Sequence, residues 1–194
     1  MKIDLDGSII DIGSRDSSNN ILRYNKNVKN IKFADKYADN EKIIKIDLEE
    51  FPNHIQENFQ NVFLINVLEH IKNYENCLRN AYQLTAKGGK FFGSTPFLFR
   101  YHPSPNDYFR YTNQLILEKL SEVGFRDVKV NVIMGGIFLS FYSNIFIFTN
   151  KIPLSFIINI PIFLLCIFFD KILSFLVTNY KSSYPIGYFF YGKK

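Results

Sequence analysis

The stretch Ile9-Ile10-Asp11-Ile12-Gly13-Ser14 decides how the rest of the chain is read. A short apolar run that carries one acidic residue and ends in glycine has the character of a buried parallel strand entering a tight turn. Asp11 falls towards the carboxyl end of that strand. Gly13 lets the backbone turn sharply and approach a ligand, where a Cβ would obstruct it. Strand-Asp-x-Gly turns also occur in α/β proteins that bind nothing there, so a purely structural turn stands beside the ligand reading at this point.

Moving outward, Ser14 to Asn30 is polar, with Ile21, Leu22 and Tyr24 enough for one short helix. Ile31 to Ala34 reads as a strand closed by Asp35, and Ile43 to Ile46 as another closed by Asp47. Phe51 to Gln60 suits a loop and short helix, and Asn61 to Ile65 a buried strand, followed by Asn66, Glu69 and His70. Cys77, Leu78, Ala81 and Leu84 lie at helical spacing, and Lys87-Gly88-Gly89 is expected to stop that helix with a left-handed cap. Lys90 to Thr95 predicts a strand, and Phe97 to Tyr111 a long aromatic loop holding His102, Asp107 and Arg110. Thr112 can cap a helix with Ile116, Leu120 and Val123 on one face, closed by Gly124. Val128 to Ile133 makes a further strand before Gly135-Gly136.

Strands alternating with helices at these intervals predict an α/β fold, with an open, mostly parallel sheet and helices on both faces. Ligands of such sheets bind outside the carboxyl ends of the strands. Asp11, Asp35, Asp47, Asn66 and the loop after Thr95 would gather there.

Ile137 to Val177 breaks the alternation. It is apolar all round any helix drawn through it, whereas a soluble surface helix keeps a polar face. Lys151 precedes its longest apolar run, and Lys171 and Lys181 follow, so charge bias assigns no orientation. Three readings stand: a helical hairpin lying in one leaflet, a core or dimer-forming helical cap, and a true span. The hairpin fits best, because Tyr184 to Tyr191 reads as a last strand to which both ends of the insertion must return. The chain therefore divides into a core over 1–136, an apolar helical insertion over 137–180 and a returning strand over 181–194.

A length of 194 residues suits one domain with an appendage. The net charge of +5 comes from lysines dispersed through the chain and does not point to nucleic acid. Cys77 and Cys166 are far apart, so neither a disulfide framework nor a zinc site is indicated, and no metal is expected. A reducing cytoplasmic compartment fits, and Met1 to Gly7 has no signal-peptide core.

Taken together, Ile10-Asp11-Ile12-Gly13-Ser14, Ile46-Asp47-Leu48, Asn66-Val67-Leu68-Glu69-His70-Ile71, Lys87-Gly88-Gly89 and Ser94-Thr95-Pro96-Phe97 resemble the class I S-adenosylmethionine-dependent methyltransferases. His102-Pro103, Pro105, Asp107 to Thr112 and Val123-Gly124-Phe125 further resemble a branch associated with glycan and lipid-linked sugar modification. The resemblance covers Ile9 to about Gly136. It implies a Rossmann-like, seven-stranded sheet with the last strand antiparallel, and S-adenosylmethionine as cofactor. It also implies roles: Gly13 beside the methionine part, Asp35 on the ribose hydroxyls, Asp47 towards the adenine amino group, Asn66 between methionine and acceptor, with Asp11 and Glu69 near the cofactor. The chain departs from the pattern where a second glycine is missing from Ser14-Arg15-Asp16, and where Asn61 replaces the Asp usual before the fourth strand.

Transfer to a hydroxyl needs a base near the methyl group, and His102 is the candidate, with packing inside the aromatic loop as the alternative. Asp107 and Arg110 would contact an anionic acceptor or pair with each other. The expected activity is methyl transfer to an oxygen of a sugar or lipid-linked intermediate at the cytoplasmic membrane face by a peripheral or monotopic protein, with a homodimer through the insertion as a further arrangement. A quinone-like or phenolic acceptor, or a non-enzymatic scaffold of the same fold, are the alternatives.

Overall fold

The computed structural model describes residues 5–14, 30–50, 55–149, 151 and 153–194. Seven strands form one sheet: β1 (Ser8–Ile12), β2 (Asn30–Asp35), β3 (Ile43–Lys45), β4 (Phe59–Ile65), β5 (Thr85–Pro96), β6 (Arg126–Gly135) and β7 (Pro185–Lys193). The helices are α1 (Tyr74–Leu84), α2 (Asn113–Val123), α3 (Ile137–Thr149), α4 (Ser155–Leu176) and the single turn α5 (Tyr180–Ser183), with a 3-10 turn at Leu68–His70. Strand order is β3-β2-β1-β4-β5-β7-β6. The first five strands run parallel, and β7 inserts antiparallel between β5 and β6. This is the Rossmann-like, seven-stranded, mostly parallel α/β arrangement expected from the sequence.

The order reverses at β1. The chain steps outward from β1 to β2 and β3, then returns to place β4 on the other side of β1, so the turn after β1 opens at a topological switch point. Alternation along the central strands builds two cores. Ile10, Val62, Leu64 and Phe91 face α1 and α2 through Cys77, Leu78, Ala81, Leu84, Ile116 and Leu120, while Ile9, Phe63 and Phe92 face the opposite side with Leu5. The short helix expected within Ser14 to Asn30 falls on 15–29, outside the described residues, as do 51–54 of the loop and short helix expected over Phe51 to Gln60; the rest of that stretch carries no helix, and Phe59 and Gln60 already belong to β4.

The helix caps follow local chemistry. The Asn73 side chain accepts from Asn76 N at 3.2 Å and the Thr112 hydroxyl from Leu115 N at 3.2 Å, each satisfying an otherwise orphaned donor. Gly124 closes α2 with φ +117°.

Strands β4, β5 and β6 begin earlier than expected, at Phe59, Thr85 and Arg126, and the end of α1 differs in kind. Lys87-Gly88-Gly89 does not stop α1; the helix ends at Leu84 and β5 begins at once. Thr85 is already extended, and its hydroxyl donates to Ala81 O at 2.8 Å, satisfying a terminal carbonyl without a left-handed residue. The glycine pair instead meets the chain's last residue, Gly88 N donating to Lys194 O at 2.9 Å and Lys194 N to Gly89 O at 3.0 Å.

The insertion is a helical hairpin. Phe138 packs on Phe169, Tyr142 on Phe163, and the Thr149 hydroxyl donates to Asn159 Oδ1 at 2.5 Å, so α3 and α4 run antiparallel. Its base is tied by Asp170, 2% exposed within an apolar helix. The Asp170 carboxylate accepts from Phe138 N at 3.1 Å, Leu139 N at 2.8 Å and Tyr180 Oη at 2.6 Å, capping the start of α3 from the neighbouring helix. Gly136, at φ +147°, lies where a Cβ would sit 2.3 Å from that carboxylate. Asp170→Ala is expected to cost about 2 kcal/mol or more, from two uncapped amides and a stranded phenol. Hydrogen exchange at Phe138 and Leu139 reads the effect, and unchanged protection there would show that Asp170 does not hold the hairpin.

Candidate active site

The residues at the switch point enclose a cavity of about 220 Å³ lined by Gly13, Asp35, Tyr37, Asp47, Asn66 and Val67 among others. Gly13 N continues the β1–β2 ladder one step past the strand by donating to Ala34 O at 2.7 Å. Its φ is +96°, and a Cβ there would stand 2.2 Å from Val67 Cγ2. Both conformation and space therefore demand glycine. Asn66, at φ +53°, ends β4 and accepts from the Ser94 hydroxyl at 2.8 Å, which fixes it at the mouth of the turn.

Asp35 and Asp47 lie on the opposite wall. Asp35 accepts from Tyr37 N at 2.7 Å and is 5% exposed. Asp47 accepts from Glu49 N at 3.0 Å and is bridged by Lys36 Nζ at 2.8 Å, which also reaches Glu49 at 3.1 Å. Those two carboxylates raise the Lys36 pKa, Asp47 contributing most, and keep the lysine charged. Asp11 does not line the cavity; its Oδ2 accepts from the Ser14 hydroxyl at 2.7 Å, so it braces the turn from within the strand.

The two departures from the expected pattern lie at the edges of this arrangement. Asn61 is fully buried at the other end of β4, and its Nδ2 donates to Asp6 O at 2.6 Å, a bond an ionised carboxylate could not make. Ser14 provides the hydroxyl that Asp11 accepts.

A second cavity of about 180 Å³ shares Asn66 and continues towards Glu69, Thr95, Phe99 and His102 on one side and Ile133, Met134, Ile186 and Gly187 on the other. Its polar wall is built by the 3-10 turn after β4 and the loop after β5. Tyr108 N donates to Glu69 O at 2.8 Å and Tyr111 Oη to Leu68 O at 3.1 Å, strapping the loop over the turn. Asp107 and Arg110 hold that loop. They form a bidentate pair, with Arg110 Nη2 2.7 Å from Asp107 Oδ2; Nη2 also donates to Arg100 O at 2.9 Å, and His102 N donates to Asp107 Oδ2 at 2.8 Å. Neither residue lines either cavity. The guanidinium keeps the Asp107 pKa well below the usual carboxylate range. A depressed pKa contributes stability above the unfolded value that is lost as pH falls through the folded one. The loop should therefore stay pinned through mild acid, and Asp107→Asn should raise its susceptibility to proteolysis at neutral pH.

The polar wall presents Glu69 and His102, with His70 behind Glu69 on the side of the first cavity, which it lines. Glu69 is 0% exposed; Thr95 Oγ1 approaches its Oε2 at 3.4 Å, while Oε1 accepts no hydrogen bond among the described residues. Both imidazoles face that oxygen, His70 Nε2 and His102 Nε2 each standing 3.8 Å from it. Burial raises the Glu69 pKa. The sequence reading put His102 in the acceptor region and missed His70 as its companion; the only signal was that His70 follows Glu69 directly. Tyr37 and Val67 were also missed, being ordinary apolar and aromatic residues until the fold sets them around Gly13.

A seven-stranded sheet of this order, with a glycine turn and two strand-end carboxylates around the switch-point cavity, defines a methyltransferase-type fold. The sequence matches the family described as "Methyltransferase domain" over residues 2–134, more than half of the chain, and the protein belongs to that family. The structure is similar to a SAM-dependent methyltransferase from Archaeoglobus fulgidus, with TM-score 0.61 and 16% identity over 97% of this chain and 86% of that one. It is also similar to Haemonchus contortus phosphoethanolamine N-methyltransferase 2 in complex with S-adenosyl-L-methionine, with TM-score 0.56 and 16% identity over all of this chain and 50% of that one. The [4+2]-cyclase SpnF shares the fold at TM-score 0.59 and 11% identity, over 99% of this chain and 76% of that one. No curated protein sequence matches the chain.

The protein is an S-adenosylmethionine-dependent methyltransferase. The residues present suit the cofactor: the Gly13 turn leaves no room for a Cβ, and the cavity beside it combines strand-end carboxylates with the apolar walls of Ile12, Leu48 and Ile71.

Proposed function

We propose that the chain methylates an oxygen of a sugar or lipid-linked acceptor at a membrane surface. One observation supports this reading most: the second cavity is bounded by the loop after β5 on one side and, on the other, by the ends of β6 and β7, the strands between which the apolar hairpin is inserted. An acceptor anchored in lipid would reach the methyl group along that wall. Ile133 and Met134 there are 52% and 40% exposed.

The hairpin suits the interface plane. On α4, Phe156, Ile160, Leu164 and Phe168 form an i, i+4 stripe, each between 55% and 58% exposed, and Phe175 is 82% exposed. By length and composition α4 could cross a membrane. Its partner α3, with 13 residues, extends only about 20 Å, short of a hydrocarbon core of about 30 Å, and both ends of the hairpin return to the sheet. Lying flat, the hairpin buries its apolar face while Lys151 at the tip and Lys171 and Lys181 near the base reach the headgroups.

S-adenosylmethionine supplies an electrophilic methyl group whose carbon–sulfur bond breaks with its electron pair passing to sulfur. Gly13 and Asn66 would hold its methionine part, Asp35 would accept from the ribose hydroxyls, and Asp47 would receive the adenine amino group, with Tyr37 lining the same cavity. Asn66, common to both cavities, lies between donor and acceptor. The Glu69–His70–His102 cluster receives the acceptor's proton, and His102 Nε2 is its outermost basic atom. The apolar wall excludes water.

Purified protein should bind S-adenosylmethionine and transfer a labelled methyl group to a component of a bacterial lipid or lipid-linked glycan extract. No heat of binding at millimolar cofactor with folded protein would overturn the reading. His102→Ala should lower turnover by about 100-fold or more and leave cofactor affinity unchanged. Equal turnover would remove His102 from the chemistry. Phe99, Ile133 and Met134 around the second cavity also suit a quinone-like or phenolic acceptor, which the same labelling would identify.

A further inference from the structure

We propose that Glu69, His70 and His102 form a binding site for a divalent transition-metal cation of the Zn²⁺ type where the two cavities meet, Glu69 and His102 lining the acceptor cavity and His70 the switch-point cavity. The inference deepens the reading of that cavity as the acceptor site and rests on it. One carboxylate oxygen and two imidazole nitrogens lie within 4.8 Å of one another. Two ligands on one tetrahedral metal, with bonds of about 2.0 Å, stand about 3.3 Å apart, so closure asks for rotation of two half-buried rings.

The hydrogen bonds of the outer ring nitrogens set both histidines in the ligating form. His70 Nδ1 faces Asn106 O at 2.5 Å; a carbonyl only accepts, so Nδ1 carries the proton and Nε2 carries a lone pair. His102 Nδ1 stands 3.1 Å from Arg100 O and 3.2 Å from Asp107 Oδ2, two acceptors, which places its proton on the same atom. Arg110 Nη2 is also 3.4 Å from His102 Nδ1, but it makes shorter bonds to Asp107 and Arg100 with its two hydrogens. Metal-bound histidines are held in this way, the second ring nitrogen donating to a carbonyl or carboxylate.

Both Nε2 lone pairs consequently point at Glu69 Oε1, itself a fully buried acceptor with no hydrogen-bond partner among the described residues. With Glu69 ionised and both rings neutral, as a bound cation would hold them, three electron-pair donors converge on one point. A cation satisfies all three at once. Two imidazoles and one carboxylate suit Zn²⁺, Fe²⁺ or Co²⁺ better than Mg²⁺ or Ca²⁺, which favour all-oxygen shells. Three protein ligands on one side would leave open positions towards the second cavity, where an acceptor hydroxyl would bind and release its proton to solvent more readily, His102 then serving as a ligand in place of its role as proton acceptor; that oxygen would form the new bond to the methyl carbon as the carbon–sulfur bond breaks with its electron pair passing to sulfur.

The test uses the whole chain, stripped with chelator and titrated with Co²⁺ and with Zn²⁺, while S-adenosylhomocysteine binding is measured on the same sample. One equivalent of Co²⁺ should bind with visible absorption of an imidazole site, Zn²⁺ should displace it, and Mg²⁺ should not. Glu69→Gln, His70→Ala and His102→Ala should each weaken Co²⁺ binding by about 100-fold or more, since loss of even an outer-shell partner costs 10–100-fold in such sites. Circular dichroism reports whether buried Glu69→Gln still folds, and the half-buried His102 variant keeps the test decisive if it does not. His54→Ala should bind as the parent does. Cofactor binding without stoichiometric Co²⁺ binding overturns the metal site and leaves the methyltransferase reading intact, and so does Co²⁺ binding lost in His54→Ala but kept in His70→Ala and His102→Ala. Co²⁺ binding that follows the three variants without S-adenosylhomocysteine binding supports the metal site and overturns the cofactor geometry.

Discussion

Gly13→Ala is expected to weaken S-adenosylhomocysteine binding by at least about 100-fold, equivalent to about 2.7 kcal/mol, while the sheet remains folded. Two causes act together. A residue with a Cβ at φ +96° is strained by about 1–2 kcal/mol. The added carbon would also stand 2.2 Å from Val67 Cγ2, so the turn must move away from the cavity it lines. Val67→Ala removes that methyl group and should recover part of the lost affinity in the double variant, a non-additivity that isolates the clash from the strain. Calorimetry on the single and double variants measures both. Unchanged affinity in Gly13→Ala would show that the cofactor does not approach this turn.

The second large effect concerns the hairpin. Replacing Phe156, Leu164 and Phe168 together by Glu should abolish flotation with liposomes and leave cofactor binding unaltered. Each of these side chains is 57–58% exposed, and each should contribute about 1.5–3 kcal/mol when buried in lipid. Losing three is worth at least about a thousand-fold in partition. Cofactor binding is insulated because its cavity lies at the switch point beside β1, whereas the hairpin leaves from β6 and returns through β7 at the far edge of the sheet. Equal flotation of parent and variant, or a parent that stays in solution as a dimer dissociated by the substitutions, would replace the membrane reading with a protein interface on the same face.

On the function proposed above, labour would be divided between the two neighbouring cavities that share Asn66. The first is built from strand ends and is largely indifferent to the acceptor. The second is built from a loop and the edge strands, the parts a fold can vary without disturbing its core. Similarity to the cyclase SpnF illustrates that sharing this sheet does not fix the chemistry performed at its edge.

Much of this was legible in the chain. Ile9 to Ser14, with Asp35 and Asp47 closing later strands, determined the parallel sheet and the edge at which the switch-point cavity opens, because short apolar runs ending in Asp or Gly carry their meaning locally. The apolar insertion announced itself by lacking a polar face. The end of α1 was misplaced because a glycine pair is a cap only where the chain needs one, and Thr85 had already satisfied the helix. What only the tertiary structure decided is the polar wall. Glu69 and His70 are neighbours in sequence, but His102 joins them through a loop strapped to the 3-10 turn by Tyr108 and Tyr111 and pinned by Asp107 and Arg110. No periodicity encodes the convergence of Glu69 Oε1 with two imidazole lone pairs. It arises from contacts 33 residues apart in the chain, and from hydrogen bonds that fix each ring by its far nitrogen.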